Sequence, residues 1–183
     1  LLLEGVEKIA IDKFLQTLQK AIDTKGHKLK IILRTQHKML QCDVEKMIKV
    51  LVNSYSFIQA VAGEGEAILL GVEDTQLGYP LEVVADRHTK QVNALRFTIT
   101  TAPDLPKLEE LYISQMDEEI MTKPEAATEL PLLTNERIVK AHYGHSNTIS
   151  EGQDLNLVCV IPVNIREVRS KDMDVPQMKL GAE

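Results

Sequence analysis

Apolar residues recur along the chain with two different rhythms. Val6, Ile9, Ala10, Phe14, Leu18, Ala21 and Ile22 keep helical spacing, and Gly26 supplies a stop, which predicts one helix over this stretch. Leu29, Ile31 and Leu33 then alternate in HKLKIILR, the period of a strand. Asp43 is a good cap for a second helix, whose stripe is Val44, Met47, Ile48, Leu51, Val52, Tyr55 and Ile58 and which Gly63 and Gly65 end. EAILLGVED, PLEVVAD and QVNALRFTITT read as three strands, the last two joined by a polar turn at residues 87–90 and the third broken by APDLP. Residues 107–128 carry a weak, acidic pattern that reads as a short helix and a loop. ELPLLTNERIVKAHYG returns to helical spacing and stops at Tyr143 and Gly144. HSNTIS and LNLVCVIPVN, joined by EGQD, form a closing hairpin. This order predicts an α/β fold: a two-layer α/β sandwich, a mixed sheet covered on one face by helices.

Composition changes the picture in a few places. The chain has 183 residues, no Trp and only 4% aromatic residues, so the core must be built from Leu, Ile, Val and Met. A formal net charge of −6 argues against non-specific nucleic-acid binding. Cys42 and Cys159 lie in apolar stretches and read as buried, reduced thiols of a cytoplasmic protein. No Cys-x-x-Cys pair supports a zinc site. No apolar run reaches the ~18 residues that span a bilayer. The opening LLLEG, without Met or a basic stretch, reads as the start of a fragment and not as a signal peptide.

Four stretches together resemble the catalytic and ATP-binding domain of sensor histidine kinases, in the ATPase superfamily shared with the Hsp90 chaperone and DNA gyrase. CDVEKMIKVLVNSYSFI is similar to that family's Asp-led helix containing the N box. TITTAPDLP stands where the family has its first glycine box, an Asp-(Asn/Thr)-Gly-x-Gly-(Ile/Leu)-Pro run. ELPLLTNERIVKAHYG resembles the second glycine box and the following helix, which ends Ile-Val-x-x-His-Gly-Gly. SNTISEGQDLNLVCVIPV resembles the final hairpin. The resemblance implies a histidine kinase-like ATPase domain over 11–163, the end of an upstream connector helix over 1–10, and a tail or linker over 164–183.

The chemistry that the resemblance implies is only partly present. Asn53 takes the place of the first N-box Asn, but Phe57 stands at the second, which holds magnesium in the family; a phenyl ring offers a hard cation no oxygen. Thr100 replaces the Asp that accepts the adenine amino proton, and Ala102 and Asp104 replace glycines. Glu129, Leu130, Pro131 and Leu132 replace the second glycine box, whose N–H groups face phosphate; Pro131 has no N–H to give. A second stretch, Val72 to Pro80, also has the outline of the first glycine box through Asp74, Thr75, Gly78 and Pro80. Asp74 follows Phe57 too closely for the intervening hairpin. The plainer reading is a polar β-turn with Gly78 at positive φ; on the other, adenine recognition survives through Asp74. His142 matches a structural position in the helix ending, and none of the five histidines stands in a phosphoacceptor box. The acidic run 117–120 falls where the family has its ATP lid and reads as a solvated face.

Three readings follow. In the first, a degenerate histidine kinase domain needs no cofactor and serves two-component signalling as a regulatory or protein-interaction module. Its partners are a response regulator or other signalling protein, and it dimerises through an upstream helical hairpin. In the second, the domain is a divergent but active kinase that binds ATP and magnesium through Asn53 with Asp74 or Thr100. In the third, the likeness is accidental and the sheet order differs from the family's.

Overall fold

A computed structural model describes residues 3–80, 89–107 and 130–168. In chain order the elements are β1 (Val6–Ala10), α1 (Ile11–Ala21), β2 (Lys28–Arg34), β3 (Met39–Asp43), α2 (Val44–Val61), β4 (Ala67–Pro80), β5 (Thr89–Thr100), α3 (Leu130–Ala141), β6 (His145–Glu151), β7 (Asp154–Pro162) and α4 (Ile165–Val168). The main sheet has the order β2-β4-β5-β7-β6. Only β2 and β4 run parallel, as expected where a helix, here α2, crosses between them. The predicted mixed sheet with helices on one face is the observed architecture.

That face holds the main core. Phe14 and Leu18 of α1, Met47 and Leu51 of α2, and Val139 of α3 pack on Leu70, Phe97 and Ile161 of the sheet. The rings of Phe14 and Phe97 meet at 5.9 Å in a tilted pair. Alternation sends Ala94, Val158 and Val160 to the opposite face, where they cluster with Ile149 and Leu77.

Several readings are corrected. Val6–Ala10 is not helical: it pairs antiparallel with β3 in a separate small sheet, and the helix starts only at Ile11. Hydrogen bonding to β3 overrides a spacing that suits either element. Residues 74–80 are not a turn. β4 runs unbroken to Pro80, with Asp74 opposite Leu95 and Gly78 opposite Gln91, and Gly78 is not among the positive-φ glycines. The reading of residues from 164 on as a tail is corrected at its start: Ile165 and Val168 are buried in the short helix α4. The strand PLEVVAD beyond Pro80, the turn at 87–88, the pattern at 108–128 with its acidic run, Glu129 and the tail from 169 lie outside the described residues.

The exit of β7 also ties the two sheets together. Gln41 of β3 donates its N–H to the Val163 carbonyl at 2.8 Å, and Val163 donates its own to the Asn93 carbonyl of β5 at 2.9 Å.

Candidate functional site

The start of α2 is fixed by Asp43. Its carboxylate caps the helix through the Lys46 N–H at 3.2 Å and accepts the N–H groups of Glu4 and Gly5 at 3.1 and 3.2 Å. Burial works against the charge, but these three N–H groups and the Lys46 ammonium outweigh it and hold the carboxyl below its ordinary pKa. The Asp43 N–H in turn donates to Nε2 of buried His142 at 3.0 Å, and His142 Nδ1 lies 2.9 Å from the Ile138 carbonyl. A backbone N–H only donates and a carbonyl only accepts, so this ring is neutral with its proton on Nδ1. His142 therefore has the structural role expected for it, locking the end of α3 to the start of α2.

The end of α3 is a Schellman turn: Gly144 N–H reaches the Val139 carbonyl, and Tyr143 N–H reaches that of Lys140. Tyr143 occupies the left-handed position, φ 64°, where the family pattern has the first of two glycines. Tyr79 of β4 donates its hydroxyl to the Tyr143 carbonyl, and the two rings pack with Val92 and Val168. Burial, and secondarily Tyr143, raises the Tyr79 pKa well above that of free phenol. Gly144 is required for space, because a Cβ there would stand 1.9 Å from the Val160 carbonyl oxygen.

Asn53 lies on the α3 side of α2. Its Nδ2 donates to Asn135 Oδ1 at 3.1 Å; Asn135 Nδ2 donates to the Val50 carbonyl at 3.1 Å and Ser54 Oγ at 3.2 Å. Asn135 is only 4% exposed, so α2 and α3 share a buried amide bracket. One turn beyond Asn53, Phe57 packs against the main core.

Thr100 is fully buried at the end of β5, and its hydroxyl accepts the Ala102 N–H at 2.9 Å. Leu95, Phe97 and Ile99 face the helices, so alternation places Thr98 and Thr100 on the other face of the sheet. The following segment goes the same way: the Leu105 side chain covers Gly71, whose missing Cβ would point to that face at 2.5 Å from it. Asp74 sits far along β4 from the Leu69–Thr100 pair. Its carboxylate accepts the Thr35 hydroxyl and, at 2.9 Å, the Gln36 N–H; His37 Nε2 lies 3.8 Å away. Asp74 thus anchors the loop after β2. Asn53, Asp74 and Thr100 do not converge on one site.

Where the family has its cation ligand stands the phenyl ring of Phe57, partly buried against the core, and the Thr100 hydroxyl lies on the face of the sheet opposite the helices. Among the described residues no cluster of His, Cys, Asp and Glu could hold a metal ion. Both cysteines are free and buried: burial, with Asp43 and then Glu7 adding to it, pushes Cys42 up to about 12, and burial alone pushes Cys159 up to about 12. Sequence reasoning missed Asn135, whose partner lies in a distant helix, and a cavity of about 280 Å³ between α2, α3 and strands β5, β7 and β6. Neither Asn53, Phe57 nor Thr100 lines that cavity.

No protein-family model matches the sequence, and no curated protein does. Solved structures do. The nucleotide-free catalytic domain of histidine kinase ThkA superposes with a TM-score of 0.58 at 14% identity, covering 90% of this chain and 99% of that one. Histidine kinase AdeS of Acinetobacter baumannii superposes with 0.52 at 17% identity, covering 87% of this chain and 68% of that one. ThkA in complex with the response regulator TrrA gives 0.57 at 14%, covering 88% of this chain and 43% of that one. At these identities the likeness is one of fold. The chain has the fold of a histidine kinase catalytic domain, and the reading that the resemblance is accidental falls. No helix among the described residues is long and apolar enough to cross a membrane.

Proposed function

We propose that this domain serves two-component signalling as a regulatory or protein-interaction module and has lost nucleotide chemistry. The observation that carries the reading is Phe57, a partly buried phenyl ring packed against the core at the position where the family has its cation ligand. The partner class is a response regulator or another signalling protein, supported by the ThkA–TrrA complex of a protein with this fold. Dimerisation through an upstream helical hairpin and a cytoplasmic location go with that role. The alternative, an active divergent kinase, draws on Asp74, whose carboxylate is committed to Thr35 and Gln36, or on another residue such as Thr100, whose hydroxyl accepts the Ala102 N–H.

Calorimetric titration of MgATP and MgADP into the chain separates the two. The proposal expects no saturable heat at millimolar nucleotide. Saturable binding abolished by Asp74→Asn would overturn it in favour of the kinase.

A further inference from the structure

The cavity between α2 and α3 has a composition suited to a small ligand. Its floor is apolar, formed by Leu51, Phe97, Ile99, Leu132 and Leu157. One wall is the strand β6, which is the edge of the main sheet among the described residues. Ser146 and Thr148 pair with Cys159 and Leu157, two helix-facing residues of β7, so both hydroxyls sit on the helix side and line the cavity. Neither hydroxyl bonds to another described residue. The buried amide on the opposite wall, Asn135, already spends both its oxygen and its nitrogen on Asn53, Val50 and Ser54. The ions at the rim neutralise each other, Lys140 Nζ standing 3.0 Å from the Glu136 carboxylate.

An occupant would remove the apolar surface of Phe97 and Leu157 from water and give the Ser146 and Thr148 hydroxyls a partner. A volume of about 280 Å³ is slightly below the ~300–1,000 Å³ of drug-sized sites, which limits the occupant to a small molecule. Self-neutralised rim charges favour one without net charge. We propose that this cavity binds a small uncharged molecule made of one ring and a carbonyl or hydroxyl group, with the ring on the apolar floor and the polar group on Ser146 and Thr148. The cavity touches the family's nucleotide positions only at Leu132, the last residue in place of the second glycine box, and Asn53, Phe57 and Thr100 do not line it, so competition with MgATP is part of its test.

The test uses benzamide as the probe, titrated into the isotope-labelled full chain while amide shifts are followed by NMR. The expected result is saturable shifts at millimolar benzamide, confined to the cavity walls on β6, β7 and α2. Ser146→Ala with Thr148→Val should lower the affinity about tenfold, the loss of two modest hydrogen bonds. Ser146→Phe, which fills the space, should abolish binding while the spectrum keeps its folded dispersion. If that variant fails to fold, the double variant still decides. No saturable shift in the parent chain, or unchanged binding in the double variant, would overturn the proposal. So would displacement of benzamide by MgATP, which would assign the cavity to nucleotide.

Discussion

The side-chain amide of Asn53 donates to that of Asn135, joining α2 to α3 through a group with no access to solvent beyond 4%. Asn135 also holds the Val50 carbonyl and the Ser54 hydroxyl. Asn135→Leu strands these partners and should cost about 2–4 kcal/mol, whereas Asn53→Ala, at a half-buried position, should cost about 1 kcal/mol. Urea unfolding of the two variants checks the ratio. Equal effects would show that Asn135 is not the centre of the bracket.

Asp43 makes stability depend on acid. Its folded pKa lies below the ordinary 3.8, so its contribution is fully present above that value. It is lost as pH falls through the lower, folded value. Asp43→Ala removes a helix cap and the clamp on Glu4 and Gly5. It should destabilise the protein by about 1–2 kcal/mol at neutral pH and flatten the acid limb of its stability profile. Hydrogen exchange should quicken first in β1. An unchanged acid limb in the variant would refute the assignment.

Tyr143 sits in a conformation that favours glycine, and its packing with Tyr79, Val92 and Val168 offsets the strain. Tyr143→Gly should therefore change stability little, because relief of about 1 kcal/mol of backbone strain opposes the lost ring contacts. Gly144→Ala should be severe, at about 3 kcal/mol or more, since the added Cβ meets backbone and not a movable side chain. Thermal melts of both variants give the contrast; a tolerated Ala at position 144 would contradict this turn geometry.

Cys42 and Cys159 should resist alkylation in the folded chain at pH 8, because burial holds both thiols up to about 12, and should react fully in denaturant. Mass spectrometry after an iodoacetamide pulse reads this directly. Rapid native labelling of Cys159 would mean that the cavity admits the reagent.

Much of the fold could be read from pattern because the strongest elements have strong local signals. Asp43 with its apolar stripe gives α2, and EGQD between alternating runs gives the β6–β7 hairpin. The failures come where partners far away in sequence decide. Val6–Ala10 becomes a strand only because Met39–Asp43 lies beside it. Asp74, Gly78 and Pro80 look like turn residues, yet pairing with β5 keeps them extended. The candidate site was legible as a set of replaced residues. Its arrangement was less so: the alternation in LRFTIT does set Thr100 on the face opposite to Leu95, Phe97 and Ile99, but the Asn53–Asn135 bond leaves no local trace. The third residue singled out, Asp74, proved to hold the loop after β2.

The Val163 strap has a consequence for the order of assembly. Gln41 in the small sheet waits for a carbonyl supplied almost at the end of the described chain, and the same residue closes on Asn93. On the ribosome, β3 emerges well before Val163 and cannot complete this bond until most of the described domain has been made. The small sheet is thus made early and secured late, so a chain truncated before Val163 leaves β3 unfastened as well as the exit of β7.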